Sequence, residues 1–575
     1  VTAPDPNPDP IPDPLGATGY GSGANPDLLA RIPLEASLVV DVGCGAGALG
    51  AAYRRRNPAA RVEGIEPEPS LAARAEAVLH AVHRLDVEAA PLPYAPGSLD
   101  CLIFGDVLEH LRDPWAVLAR AAPLLKPDGV LLICVPNVEH WRFAERLLRG
   151  GWRYEPMGLF DRTHLRWFSR DTMLQALRDA GLAPVDAMPR IFGREAFSQF
   201  LDAIGPALAA LGVDRKAYAA RALPLQFVWR ATPRPVVPLL LTAHTLRPVG
   251  GVNDVRIHLP FAAMATRPGV VAMAAEQPRL PAVAPNLPRI HILQRRLLDA
   301  PEAVQVIRAL RARGEVIVAE FDDDPAHWPS IARNNHLAFR GVHAVQTSTS
   351  ALAELLRQWN PEVAVFPNAL EELPEPVNFQ DPDRLTLFFG ALNREADVAP
   401  FLPALDAALA QANGRLQVEV LHDRASFERL QSPHKRFTPT CSYPEYRALM
   451  GRCEIAFLPL ADTRFNRMKS DLKFLEAAGH RLATIASPTV YGASIRDGET
   501  GLIVQGPGEF SAALRSLLTD PARALAIAEA ARRHVAQHRM LAAQVAPRLA
   551  WYRDLWARRE ALDAALLTRV PEAAG

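Results

Sequence analysis

Short apolar runs alternate with longer stretches of mixed polarity along this chain. That rhythm predicts strands separated by helices, an α/β architecture rather than a helical bundle or a β-sandwich. Val39 to Gly50, VVDVGCGAGALG, is the clearest instance: a strand ending in an acid, then a loop with Gly43, Gly45 and Gly47 at every second position. RVEGIE (Arg61 to Glu66) predicts a second strand, and a third short apolar segment precedes Asp86. LDCLIFGDVLEHL (Leu99 to Leu111) and LLKPDGVLLICVPN supply a fourth and a fifth. Arg194 to Ala222 is helical in pattern, and the run Leu223 to Ala231, LPLQFVWRA, is expected to complete the sheet as an edge strand.

The proline-punctuated TPRPVVP (Thr232 to Pro238) then reads as a linker, after which the alternation restarts. One set of strands is expected at Leu239 to Thr242, Arg289 to Gln294, Glu315 to Asp324, His343 to Ser350 and Val363 to Leu370. Another is expected at Leu385 to Asp397, Leu416 to Asp423, Cys453 to Leu460, His480 to Pro488 and in GLIVQGPGEF. With 575 residues the chain exceeds what one core holds. The expected units are a disordered Pro-rich tail (1–16), a first α/β domain (17–233), and two further α/β domains (236–372 and 373–575).

Composition narrows the function classes. The 63 basic and 63 acidic residues cancel, so no polyelectrolyte footprint for nucleic acid is expected. Five scattered cysteines without a C-x-x-C pair argue for a reducing compartment and against a structural zinc site, and no metal is expected. No apolar run reaches the length of a membrane span, so the expectation is a cytoplasmic enzyme, with peripheral membrane contact left open.

The glycine loop carries the first chemistry. Backbone approaches a ligand closely only where no Cβ intervenes, and the following helix directs its free N–H groups at an anion. Gly45, Gly47 and Gly50 satisfy the dinucleotide spacing, yet that register would bury Asp41 and Gly43 inside a strand. Starting the turn at Gly43 instead puts Asp41 at the strand's carboxyl end. There an acid suits the ammonium of S-adenosylmethionine (SAM). Glu66 at the end of the next strand suits a ribose hydroxyl pair, and Asp86 an adenine amino group. Cys44 reads as a small neutral loop residue.

With DVGCGxG, the LEHL box and KPDG in that order, the chain from about residue 17 to 232 resembles the class I SAM-dependent methyltransferases of small molecules and glycans. The resemblance implies a Rossmann-like domain and a cofactor site of Asp41, Gly43, Gly45, Gly47, Glu66, Asp86 and Asp106. For a hydroxyl acceptor, histidine is the commonest base, and His110 in LEHL and His164 in FDRTHLRWFS are the candidates. A plainer reading of the second box is a helix start, with Ser169 as N-cap and Asp171 in the first turn.

Only five of the 63 basic residues are lysine, yet Lys469 and Lys473 stand four apart in FNRMKSDLKFLEAAG, with Glu476 three further on. Helical spacing would put all three on one face, suited to a diphosphate and to sugar hydroxyls. This segment, followed by SPTVYGASIRDGETGLIV, resembles the carboxyl half of group 1 type GT-B glycosyltransferases, a pair of Rossmann-like domains. The resemblance implies a nucleotide sugar as co-substrate, bound through Gly250, Gly251, Arg394, Lys469, Lys473 and Glu476. It also implies a glycan or lipid-linked saccharide acceptor and a retaining outcome. The family's E-x7-E pair is incomplete, because Met468 stands at the first position. Asp322, Asp323 and Asp324 read as capping or cleft residues rather than a metal site.

The sequence reading is therefore a bifunctional enzyme of surface polysaccharide or related glycan biosynthesis, an O-methyltransferase joined to a glycosyltransferase. The competing readings are a methyltransferase carrying an inactive glycan-binding module, and a dinucleotide oxidoreductase.

Overall fold

The computed structural model describes residues 23–247, 251–279, 281, 284–381, 383–390 and 394–574. The Pro-rich tail and Gly250 lie outside these described residues. The chain divides into two compact units, whose main runs meet between Val237 and Pro238.

The first unit is built on a seven-stranded sheet: β1 (Leu38–Val42), β2 (Arg61–Ile65), β3 (Ala81–His83), β4 (Leu99–Gly105), β5 (Leu125–Pro136), β6 (Ala183–Arg190) and β7 (Gln226–Thr232). Its order is β3-β2-β1-β4-β5-β7-β6. β1 to β5 run parallel, and β7 is antiparallel to both β5 and β6. Both faces are covered, so the central strands are continuous apolar runs whose alternate residues feed two cores. Val40, Val42, Leu102 and Phe104 face one core, and Val39, Cys101 and Ile103 face the other.

The run Leu223 to Ala231 does not form the edge that its position at the end of the domain suggests. β7 is buried along its whole length between β5 and β6. The edge falls to β6, APVDAMPR, whose Pro184 and Pro189 lack the N–H that an inner strand would need.

The second unit holds two six-stranded parallel sheets. The first comprises β8 (Leu239–His244), β9 (Val270–Ala275), β10 (Arg289–Gln294), β11 (Val316–Glu320), β12 (Ala344–Thr347) and β13 (Val363–Val365), ordered β13-β12-β11-β10-β8-β9. The other comprises β14 (Leu385–Gly390), β15 (Leu416–Leu421), β16 (Lys435–Thr438), β17 (Ile455–Leu458), β18 (Ala483–Ala486) and β19 (Leu502–Ile503), ordered β16-β15-β14-β17-β18-β19.

The helix Ala542–Ala557 returns from the last sheet to the previous one, where Tyr552 donates to Gln346 Oε1 at 2.6 Å. Gln346 in turn donates to Glu320 Oε2 at 2.7 Å. Glu320 pairs with Arg256, whose guanidinium also reaches the Phe366 carbonyl and Asn368 Oδ1 at 2.8 Å each. Both charges are fully buried, so each depends on the other. Losing one partner of such a pair typically costs about 3–5 kcal/mol, whereas replacing both with apolar groups can be neutral. Glu320→Leu should therefore lower the urea midpoint of the second unit strongly with little change in slope. The double change Glu320→Leu/Arg256→Met should recover most of that loss.

Candidate functional site

β1 delivers its carboxyl end into the glycine loop, where Gly43, Gly45 and Gly47 have φ of +70°, +54° and +81°. A Cβ on Gly43 would lie 2.5 Å from Val107 Cγ2, and one on Gly47 would lie 2.8 Å from Val78 Cγ2. The loop is pinned from β2: Gly43 N donates to the Ile65 carbonyl at 2.8 Å and Gly45 N to Glu66 Oε2 at 2.9 Å. Glu66 Oε1 also accepts from Glu68 N at 3.0 Å. Asp41 is buried at the end of β1, and burial, reinforced by the nearby Glu66 charge, raises its pKa to about 7.

Above this loop lies a cavity of about 880 Å³. Asp41, Gly43, Gly45, Glu66, Asp86, Asp106, His110 and His164 all line it. Gly47 does not; it lets the loop pack against the helix end at Val78 and Leu79. Asp86 is exposed at the rim, where its Oδ1 accepts from Glu88 N at 2.8 Å and closes a turn.

Asp106 sits after β4 at φ +54°, and burial raises its pKa. Gln226 Nε2 donates to Asp106 Oδ1 at 2.5 Å, and Arg190 Nη1 donates to Gln226 Oε1 at 2.5 Å. Arg190 continues to Asp27 at 2.7 Å. These partners come from β6 and β7, remote in sequence, and no local motif announces them.

The cavity lining also carries the candidate bases. His164 is buried, its ring 4.9 Å from that of His110 in an edge-to-face arrangement. Burial, with His110 nearby, lowers its pKa to about 4, so the ring is neutral at pH 7. Its Nδ1 has no hydrogen-bond partner among the described residues. His110 Nδ1 lies 3.0 Å from Thr163 Oγ1, and Thr163 donates to Asp161 Oδ1 at 2.7 Å.

Sequence reading passed over Glu109. Its carboxylate is buried without a hydrogen bond among the described residues, and burial next to Asp106 holds its pKa well above the usual range. Ligand atoms of Glu109, His110 and His164 all lie within 4.8 Å of one another. Such a group can share a proton, or hold a divalent cation through one oxygen and two imidazole nitrogens. The neighbouring Ser169 does cap the helix Arg170–Asp179, through a Ser169–Thr172 capping box.

In the second unit, Lys469, Lys473 and Glu476 do not share one helix face. The helix begins only at Leu472, and Lys469 lies in the turn after the short helix Arg464–Arg467. Lys469 Nζ contacts both oxygens of Asp323 at 2.8 Å. Lys473 lies over the Tyr446 ring at 5.3 Å, and burial lowers its pKa. Glu476 is buried and accepts from Tyr443 Oη at 2.9 Å and Tyr446 Oη at 2.8 Å. Tyr443 also packs on Gly251, where a Cβ would come within 2.6 Å of its ring. Arg394 donates to Asp397 at 3.0 Å and to Asn466 Oδ1 at 2.7 Å. Met468 packs beside the core of the preceding sheet. Asp324 caps the turn at Ala326, and Asp322 pairs with Arg295 at 2.5 Å.

Residues 20–187 match a family model described as a methyltransferase domain. The ubiquinone biosynthesis O-methyltransferase of Cereibacter sphaeroides (strain KD131 / KCTC 12085) is 30% identical over 183 residues, which are 31% of this chain and 72% of that protein. The chain belongs to the methyltransferase family. The methyltransferase is also 38% identical over 113 residues to the trans-aconitate 2-methyltransferase of Escherichia coli O17:K52:H18, covering 19% of this chain and 44% of that one.

Residues 401–548 match a glycosyl transferase-like model, so this SAM-dependent methyltransferase carries a glycosyltransferase-like domain at its carboxyl end. Among solved structures, an S-adenosylmethionine-dependent methyltransferase from Mesorhizobium loti aligns with 36% of the chain and 96% of its own, at 18% identity and TM-score 0.25. TarM of S. aureus aligns with 46% of this chain and 55% of its own, at 10% identity and TM-score 0.36.

Two measurements follow from the loop. Gly43→Ala places a side chain at positive φ and against Val107, and should weaken SAM binding at least about tenfold by calorimetry. Asp41, titrating near 7, is charged above that pH and neutral below it. SAM affinity should therefore fall as pH drops through 7, and Asp41→Asn should bind weakly with no such dependence.

Proposed function

We propose that this chain is a bifunctional enzyme of glycan assembly, with residues 17–233 methylating a saccharide hydroxyl and residues 236–372 and 373–575 transferring a sugar. The observation that carries the first half is one cavity lined by Gly43 and Gly45 of the glycine loop, Asp41, Glu66 and His164 together. SAM would supply an electrophilic methyl group on a sulfonium. The loop N–H groups and Asp41 are suited to hold its amino-acid end, Glu66 its ribose and Asp86 its adenine. Asp106, fixed by Gln226 and Arg190, bounds the same chamber.

In this reading the neutral His164 would accept the acceptor's hydroxyl proton as the oxygen attacks in line. With a pKa of about 4 it is a weak base alone. Glu109 lies in the same cluster with its burial favouring the neutral acid, and His110 orders the wall through Thr163.

For the second half, the cations Arg394, Lys469 and Lys473 would supply the charge a diphosphate needs, and Gly251 is the described part of the expected glycine turn. The acceptor in this reading is a glycan or lipid-linked saccharide, the compartment cytoplasmic, and the pathway surface polysaccharide biosynthesis. A second reading is favoured by one specific contact. Glu476, which the family resemblance assigns to donor hydroxyls, is already satisfied by Tyr443 and Tyr446. With Met468 replacing the family acid, that contact supports a glycan-binding module without turnover.

Transfer of labelled methyl from SAM to a saccharide acceptor tests the first half. His164→Ala should lower kcat by about 10²–10⁴ while leaving SAM affinity unchanged. Release of sugar from nucleotide-sugar donors tests the second. Turnover lost in Lys473→Ala supports the transferase, and absence of turnover with every donor supports the module.

A further inference from the structure

The segment Trp141 to Tyr154, WRFAERLLRGGWRY, plays no part in the cofactor site, yet it carries an unusual surface. Its helix Trp141–Leu148 buries Trp141 and Phe143 in the fold. Beyond that anchor the apolar side chains turn outward: Leu147 is 63% exposed, Leu148 73%, Trp152 41% and Tyr154 64%.

A turn at Gly150, with φ +80°, folds the chain back on itself. Gly150 N donates to the Leu147 carbonyl at 3.1 Å and Gly151 N to the Arg146 carbonyl at 3.2 Å. Arg146 then clamps the returning strand, donating to the Arg153 carbonyl at 2.8 Å and to Glu155 at 2.5 Å. This places Trp152 to Tyr154 alongside the last helical turn. Trp152 is held by Phe143, stacked at 5.8 Å, and by Phe160 at 5.6 Å. The patch is therefore a fixed knuckle with an aromatic base.

Its charge is one-sided. Between Trp141 and Tyr154 stand four arginines, Arg142, Arg146, Arg149 and Arg153, against one acid, Glu145. Arg149 spends its charge on an exposed i,i+4 pair with Glu145, which contributes little in water. Among the described residues Arg142 and Arg153 form no ion pair within this segment. Exposed leucines flanked by an indole, a phenol and guanidinium groups match a bilayer interface: apolar tips among the acyl chains, aromatic rings at headgroup level, cations against anionic phosphates. No helix among the described residues is long and apolar enough to cross a membrane, so such contact would be peripheral.

We propose that the Leu147–Tyr154 knuckle docks the protein on an anionic lipid surface. The segment runs directly into Pro156, Met157, Gly158 and Leu159, which line the rim of the 880 Å³ cavity. Docking there would bring that rim to the headgroup layer, where a lipid-linked acceptor presents its saccharide. This last consequence rests on the methyl-transfer reading, whereas the docking itself does not.

The test is co-sedimentation of the full chain with vesicles of phosphatidylcholine alone and with roughly one third phosphatidylglycerol. The expected result is sedimentation with the anionic vesicles only, weakening as salt rises. Leu147→Glu/Leu148→Glu and, separately, Arg149→Glu/Arg153→Glu should each reduce vesicle affinity at least about tenfold. Unchanged SAM binding by calorimetry would show that the variants are folded. No sedimentation, or sedimentation indifferent to both variants, overturns the proposal. So does a dimer in vesicle-free solution that the leucine variant dissociates without any lipid binding by the parent. Lipid binding without SAM binding by the parent would sink the methyl-transfer reading and leave the docking standing.

Discussion

A parallel strand covered on both faces satisfies its backbone only through its neighbours, and its carboxyl end opens into a loop that must find partners elsewhere. Both units of this chain are organised by that constraint. In the first unit the loop after β1 hangs from the Ile65 carbonyl and the Glu66 carboxylate, so β2 positions the glycines. Removing water from the same place is what raises Asp41 to about 7. Strand packing, loop geometry and the charge state of the acid are consequences of one arrangement.

The sequence was legible where the chemistry is local. β1 ends at Val42, one residue beyond Asp41, and the turn opens at Gly43 with positive φ. Inner strands such as β4, β10 and β14 were legible because burial on both faces makes them continuous apolar runs. What escaped were edges. β9, whose residues alternate between covered and exposed, and β16, with the polar sequence KRFT, lie at the margins of their sheets and need no apolar run. The reversed order of β6 and β7 escaped for a related reason. Proline content was the available signal, since Pro184 and Pro189 mark the strand that tolerates an edge.

Site residues divide the same way. Gln226, Arg190 and Glu109 act on positions that motifs identify, but Gln226 and Arg190 arrive from distant strands, and no spacing rule connects them to Asp106. Glu109 sits inside the LEHL box, where the adjacent His110 drew the assignment. The sign of its importance is physical: a buried carboxylate without a partner is costly, and it persists next to two imidazoles.

In the second unit the helical spacing read from sequence does not hold. Lys469 and Lys473 were paired by helical spacing, yet the helix starts between them, at Leu472. Lys469 therefore faces Asp323, from the loop after β11, while Lys473 stays with Tyr446 and Glu476. In this conformation Asp323 pairs with Lys469, and two tyrosine hydroxyls donate to Glu476. Charge balance makes that arrangement self-consistent without a ligand. Those contacts are polar and enclosed, the setting in which hydrogen bonds to a charged group are strongest.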